Sequence, residues 1–173
     1  MVAATPAASE PTSSRTNFDQ LSVTVKDSSP LKQLILRAAD RDATLTEMDL
    51  SGDGELIRWP VPRQAAAIAV LGGSETLLRL GLSGLGLHDE VATALAAVLH
   101  DEYTALQVLN AERNDFREAG LLQIIDALAG NSTLRELRLT GQRQACSTVV
   151  ETALADMLDG GGAPGLVKLG LQI

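Results

Sequence analysis

Leu134-Arg135-Glu136-Leu137-Arg138-Leu139 reads L-x-x-L-x-L, and the chain repeats this phrase with small variations. Leu45-Thr46-Glu47-Met48-Asp49-Leu50, Leu77-Leu78-Arg79-Leu80-Gly81-Leu82, Leu106-Gln107-Val108-Leu109-Asn110-Ala111 and Leu166-Val167-Lys168-Leu169-Gly170-Leu171 are the other copies. Their first leucines stand at 45, 77, 106, 134 and 166, so the steps are 32, 29, 28 and 32 residues. Alternation over the last positions of each phrase is the period of a strand with one buried face. A unit of this length cannot bury its apolar side alone, but stacked copies share one continuous core.

Helical stripes fill the intervals. Val61, Ala65, Ile68, Ala69 and Leu71 predict a helix over 61–71, with Pro60 and Pro62 confined to its entry and first turn. Similar spacing predicts helices over 90–100, introduced by Asp89, over 118–129, and over 149–158 with Thr148 as cap. Gly72-Gly73, Gly130-Asn131 and Gly160-Gly161-Gly162 follow as C-terminal stops. Pro30, Leu31, Leu34, Ile35 and Ala38 place one more helix, from about Ser29 to Arg41, over the open end of the first repeat. The expected fold is α/β: a right-handed leucine-rich repeat solenoid of about five parallel strand–helix repeats with an N-terminal capping helix.

Residues 1–27 are rich in Ala, Pro, Ser and Thr and read as a flexible N-terminal tail, with residues 28–173 as the repeat domain. Leu21, Val23 and Val25 alternate within that tail and would suit an edge strand equally well. Lys and Arg total 14 against 22 Asp and Glu, a formal charge of -8. Without concentrated positive charge the chain is not expected to bind nucleic acid. No apolar run is long enough for a bilayer, so no membrane partner is expected. The start shows no signal-peptide pattern, and a single cysteine, Cys146, excludes an intrachain disulfide. A cytoplasmic monomer is the expectation.

Within each phrase the leucines face the core, and the residues beside the central one face out. These outward pairs are Glu47 and Asp49, Arg79 and Gly81, Val108 and Asn110, Glu136 and Arg138, and Lys168 and Gly170. The row begins acidic and ends basic. Trp59 and Tyr103 read as partly buried gap fillers, with Trp59 also a candidate interface anchor. Phe116 reads as core. Asn114 holds the position where an amide ties neighbouring turns together; Asp53, Leu85 and Gln142 hold it elsewhere, so the ladder reads as degenerate.

Chemistry is poorly represented. His88 and His100 sit at opposite ends of one predicted helix, about 18 Å apart, and cannot share a metal. Asp49, Asp53 and Glu55 lack the spacing of a calcium loop and read as a turn. Gly81, Gly84 and Gly86 lie among core leucines and make no nucleotide fingerprint. Ser51, Ser83 and Thr140 read as satisfying local backbone amides. Cys146 has no nearby histidine to activate it. With no nucleophile, base and orienting group converging, the chain is expected to be no enzyme and to need no cofactor and no metal.

Leu109-Asn110-Ala111-Glu112-Arg113-Asn114-Asp115-Phe116, then Gly120, then Gly130-Asn131-Ser132-Thr133-Leu134-Arg135-Glu136-Leu137-Arg138, follow the order found in the leucine-rich repeat half of tropomodulins and leiomodins. The loop Leu139-Thr140-Gly141-Gln142-Arg143-Gln144, ahead of Val150-Glu151-Thr152-Ala153-Leu154-Ala155-Asp156-Met157-Leu158, resembles the distinctive final unit of that family. The resemblance covers Ser29 to Ile173. It implies a non-enzymatic protein-binding module that acts on actin or an actin-associated protein, capping or regulating pointed ends. Arg138, Gln142, Arg143, Gln144, Glu136, Asn110, Arg79 and Trp59 are its candidate contact residues. Those relatives carry tropomyosin-binding segments ahead of their repeats; no such segment is recognised before Ser28, so tropomyosin is not expected as a partner. The alternative is a general leucine-rich adaptor, or a regulatory or inhibitory subunit, with a non-actin protein partner.

Overall fold

The computed structural model describes residues 29–171, so both readings of the N-terminal tail fall outside the described residues. Each phrase forms a three-residue strand: β1 (Glu47–Asp49), β2 (Arg79–Gly81), β3 (Val108–Asn110), β4 (Glu136–Arg138) and β5 (Lys168–Gly170). The strands pair in chain order as one parallel sheet. In register, Met48, Leu80, Leu109, Leu137 and Leu169 form the central inward row. Parallel neighbours need long crossovers, and here each crossover carries a helix. The residues flanking the inward row stay exposed or half-buried, so one sheet face is left uncovered.

The helices are α1 (Pro30–Ala39), α2 (Gly54–Ile57), α3 (Val61–Ala69), α4 (Asp89–His100), α5 (Glu118–Leu128) and α6 (Thr148–Asp159). Ser29 caps α1 through its hydroxyl, which accepts from the Lys32 amide. Leu31, Ile35 and Ala38 of α1 are buried against the first repeat, as a terminal cap requires. At α6 the cap is Ser147, accepting from the Val150 amide, and not Thr148, which lies inside the first turn. Asp89 likewise does not cap its own helix. It occupies the first helical position, and its carboxylate accepts from the Arg117 amide one repeat later. Gly73, Gly130 and Gly161 follow helices with φ of 67°, 86° and 70°, a left-handed turn that glycine adopts without strain.

The short helix α2 lies where only a turn was expected. Asp53 starts it by accepting from the Glu55 and Leu56 amides, which explains the Asp-Gly-Glu sequence without a metal. The Ser51 and Thr140 hydroxyls reach across repeats, and the Ser51 hydroxyl also serves Asp49 in its own turn. Ser51 accepts from the Ser83 amide, and Thr140 donates to Glu112.

Two amides stitch the loops that leave the strands. Asn114 accepts from the amides of Leu85 and Leu87 and donates to the carbonyls of Leu82 and Ala111. One repeat later Gln142 donates to the carbonyls of Ala111 and Leu139 and accepts from the Phe116 amide. Ala111 thus stands to Gln142 as Leu82 stands to Asn114, so the ladder has one more working rung than its side chains suggest. Glutamine reaches with an extra methylene what asparagine reaches directly.

Leucines of the inner repeats, such as Leu80, Leu109 and Leu137, are fully enclosed. Leu166, Leu169 and Leu171 of the last repeat are only half-buried, and Val167 is 84 % exposed. Trp59 and Tyr103 part company. Trp59 is buried with the Arg63 guanidinium 4.0 Å over its ring centroid, whereas Tyr103 is 63 % exposed. Tyr103 is therefore no gap filler. Phe116 is fully buried.

Candidate functional site

The uncovered sheet face presents two cross-strand rows. The first runs Glu47, Arg79, Val108, Glu136 and Lys168; the second runs Asp49, Gly81, Asn110, Arg138 and Gly170. Charges pair along and between these rows. Arg79 lies 3.2 Å from Glu47, and Lys168 lies 2.9 Å from Glu136, which also takes a close hydrogen bond from the Arg138 guanidinium. Lys168 and then Arg138 hold the Glu136 carboxyl below the usual carboxylate range. At the acidic end the Ser51 hydroxyl, and then its amide, do the same for Asp49. Asp49 leans across the neighbouring strand, and a Cβ on Gly81 would run into its carboxylate. Asn110 turns its side-chain oxygen to the Glu112 amide.

Beyond the strands, the Gln142-Arg143-Gln144 loop shows a division of labour. Gln142 is half-buried and commits its amide to the ladder, while Arg143 and Gln144 are exposed. The Arg143 side chain is 80 % exposed, and its guanidinium lies 3.8 Å from the Asp115 carboxylate. His88 approaches the same carboxylate oxygen at 3.4 Å. Asp115 is buried, and the Arg143 guanidinium and the His88 ring both lie against its carboxylate. Replacing Gln142 by alanine is expected to cost about 2 kcal/mol of unfolding free energy, because it strands backbone groups of two repeats. Urea titration of that variant checks it; an unchanged midpoint would show the amide to be free for a partner.

The structure brings Glu136, Arg138, Asn110 and Arg79 onto one face and sets Arg143 and Gln144 at its margin. Trp59 is not among them. It is 7 % exposed and packed under Arg63, so it serves the first repeat as core and offers no anchor. Arg113 and Lys168 were not singled out as candidates, although both are exposed near the basic end. Lys168 was legible as an outward strand position beside Leu169. Arg113 was hidden by its unusual backbone, with φ at 56°.

None of this makes a reactive centre. Burial, with a contribution from Glu151, pushes the Cys146 thiol up and away from the thiolate. Among the described residues, no group of three or more His, Cys, Asp or Glu side chains could hold a metal ion. Among the same residues, no helix is long and apolar enough to cross a membrane. A mixed-charge sheet face with ion pairs along it can recognise another protein surface through electrostatic complementarity.

Residues 27–173 match the family model described as the TMOD/LMOD Leucine-rich domain. Human tropomodulin-4 is 28 % identical over 140 residues, covering 81 % of this chain and 39 % of that protein. Human leiomodin-1 is 30 % identical over 123 residues, covering 70 % of this chain and 20 % of the relative. The chain thus spans about two-fifths or less of the length of these curated relatives. A solved structure described as leiomodin-1 actin-binding site 2 superposes with a TM-score of 0.75 at 26 % identity, covering 84 % of this chain and 81 % of that one. The Caenorhabditis elegans tropomodulin C-terminal domain superposes at 0.73 with 20 % identity, covering 84 % of each chain, which is a likeness of fold.

Proposed function

The chain belongs to the TMOD/LMOD leucine-rich domain family, a non-catalytic protein-interaction module, and from that premise we propose that its partner is actin. The observation that carries the reading is the superposition of the whole repeat block on a structure described as an actin-binding site of leiomodin-1. The charge pattern supports a location. On the sheet side the outward cations Arg138 and Lys168, with Arg143 in the adjoining loop, stand at the end opposite Glu47 and Asp49. The contact set is then Arg138, Arg143 and Gln144 with Glu136 and Asn110, and Arg79 at the far end of the face. Gln142 acts through the loop it holds in place. Glu136 keeps Arg138 and Lys168 oriented until an acidic patch of the partner competes for them.

Exposed charges of this kind act mainly through steering and complementarity, so reversing two of them should be felt without unfolding the domain. The double variant Arg138→Glu, Arg143→Glu is expected to bind actin filaments about tenfold more weakly in co-sedimentation, equivalent to about 1.4 kcal/mol. Its melting temperature should stay close to that of the parent. Unchanged affinity in a folded double variant would move the contact away from this end of the sheet.

A further inference from the structure

A second surface lies on the helical side, away from the sheet face. Helices α5 and α6 leave between them an open trough of about 480 Å³. Leu122, Ile125, Ala153 and Met157 line its apolar walls, with Ala129, Gly160 and Gly162 also on its lining. Val149 lies one turn before Ala153 on the same stripe of α6 and is 53 % exposed, so apolar surface continues past the trough. From Val149 to Gly160 the stripe is about 16 Å long, enough for three helical turns of a bound segment.

The preceding seam is built differently. Between α4 and α5, Gly120 sits so close to Ala92 that a Cβ there would come within 2.9 Å of it. A hydrogen bond of 2.6 Å from Thr93 to Gln123 then bridges the two helices. At the seam between α5 and α6 the Ser147 hydroxyl donates to Glu118 at 2.5 Å near the helix starts, and the trough opens farther along.

Charge defines what the trough can take. Asp126 and Asp156 line it. Over their full lengths α5 and α6 carry Glu118, Asp126, Glu151, Asp156 and Asp159 and not one lysine or arginine. The cations of these repeats stand on strands and loops instead. An apolar floor with a one-signed acidic rim selects a segment of opposite pattern. We infer that the α5–α6 trough docks an amphipathic helical segment of a protein partner, with large aliphatic side chains in the trough and lysine or arginine along both edges. This surface is separate from the sheet-side contact set proposed for actin.

The probe is a fluorescein-labelled peptide of leucine pairs alternating with lysine pairs, about three helical turns long. Its control replaces every leucine by serine at the same charge. Fluorescence anisotropy should show the leucine peptide binding at least tenfold more tightly than the serine peptide. The Asp126→Lys, Asp156→Lys double variant should lose at least tenfold of that affinity while keeping its circular dichroism and melting temperature. The single Asp156→Lys variant carries the comparison if the double one fails to fold. Amide chemical-shift changes should centre on Leu122, Ile125, Ala153 and Met157. Equal binding of both peptides, no binding of the leucine peptide, indifference to the aspartate changes, or shifts centred on the sheet face would overturn the assignment.

Discussion

Replacing Asn114 by alanine is expected to lower the unfolding free energy by about 4 kcal/mol. The Asn114 side chain is buried and makes four hydrogen bonds to backbone groups. Alanine removes all four together. The amides of Leu85 and Leu87 and the carbonyl of Leu82 then lie beside the core without a partner, and each such group costs about 1–3 kcal/mol before relaxation. A domain of this size is stabilised by only about 5–15 kcal/mol, so much of the margin would go. Urea denaturation followed by circular dichroism measures the change. A midpoint within error of the parent would mean that water replaces the amide and that the rung is dispensable.

Phe116→Ala should cost about 3–5 kcal/mol by a different route. Phe116 is fully buried beneath the third and fourth repeats, and its backbone amide donates to Gln142. Truncation removes a large apolar surface and leaves a cavity that leucines fixed by the strand register cannot collapse to fill. Phe116→Leu keeps much of the volume and should recover more than half of the loss. The two sites share one loop, so Asn114→Ala and Phe116→Ala together should not simply add. Equal thermal stability of Phe116→Ala and the parent would show that the core there is loose.

The strands were legible because L-x-x-L-x-L fixes both register and facing. Once Leu80, Leu109 and Leu137 are inward, Arg79, Asn110 and Arg138 must be outward, and the structure places them so. Helix existence followed from apolar spacing, with ends shifted by a few residues where caps compete. Ser147 and Thr148 are adjacent hydroxyls, and only the backbone turn decides which one caps. The helix α2 escaped notice because four residues show no periodicity; its signal was Asp53 ahead of two free amides.

The contact face was less legible than the fold. Gln142 stands at a ladder position and is also a candidate contact by sequence; its reach to Ala111, Leu139 and Phe116 across repeats shows that the ladder claims its amide. Trp59 reads as a gap filler or an anchor by residue type, and it is buried beneath a guanidinium four residues later in the chain. The trough between α5 and α6 depends on how two separated helices splay, which neither stripe encodes alone. Such features arise from long-range packing, where local spacing carries no information.

The decisive measurement is the elongation rate of filaments with blocked barbed ends, followed over increasing concentrations of this protein. A saturable change in pointed-end growth, relieved in the Arg138→Glu, Arg143→Glu variant, is the predicted result. Growth that stays constant up to tens of micromolar, with no co-sedimentation on the same filaments, would contradict it.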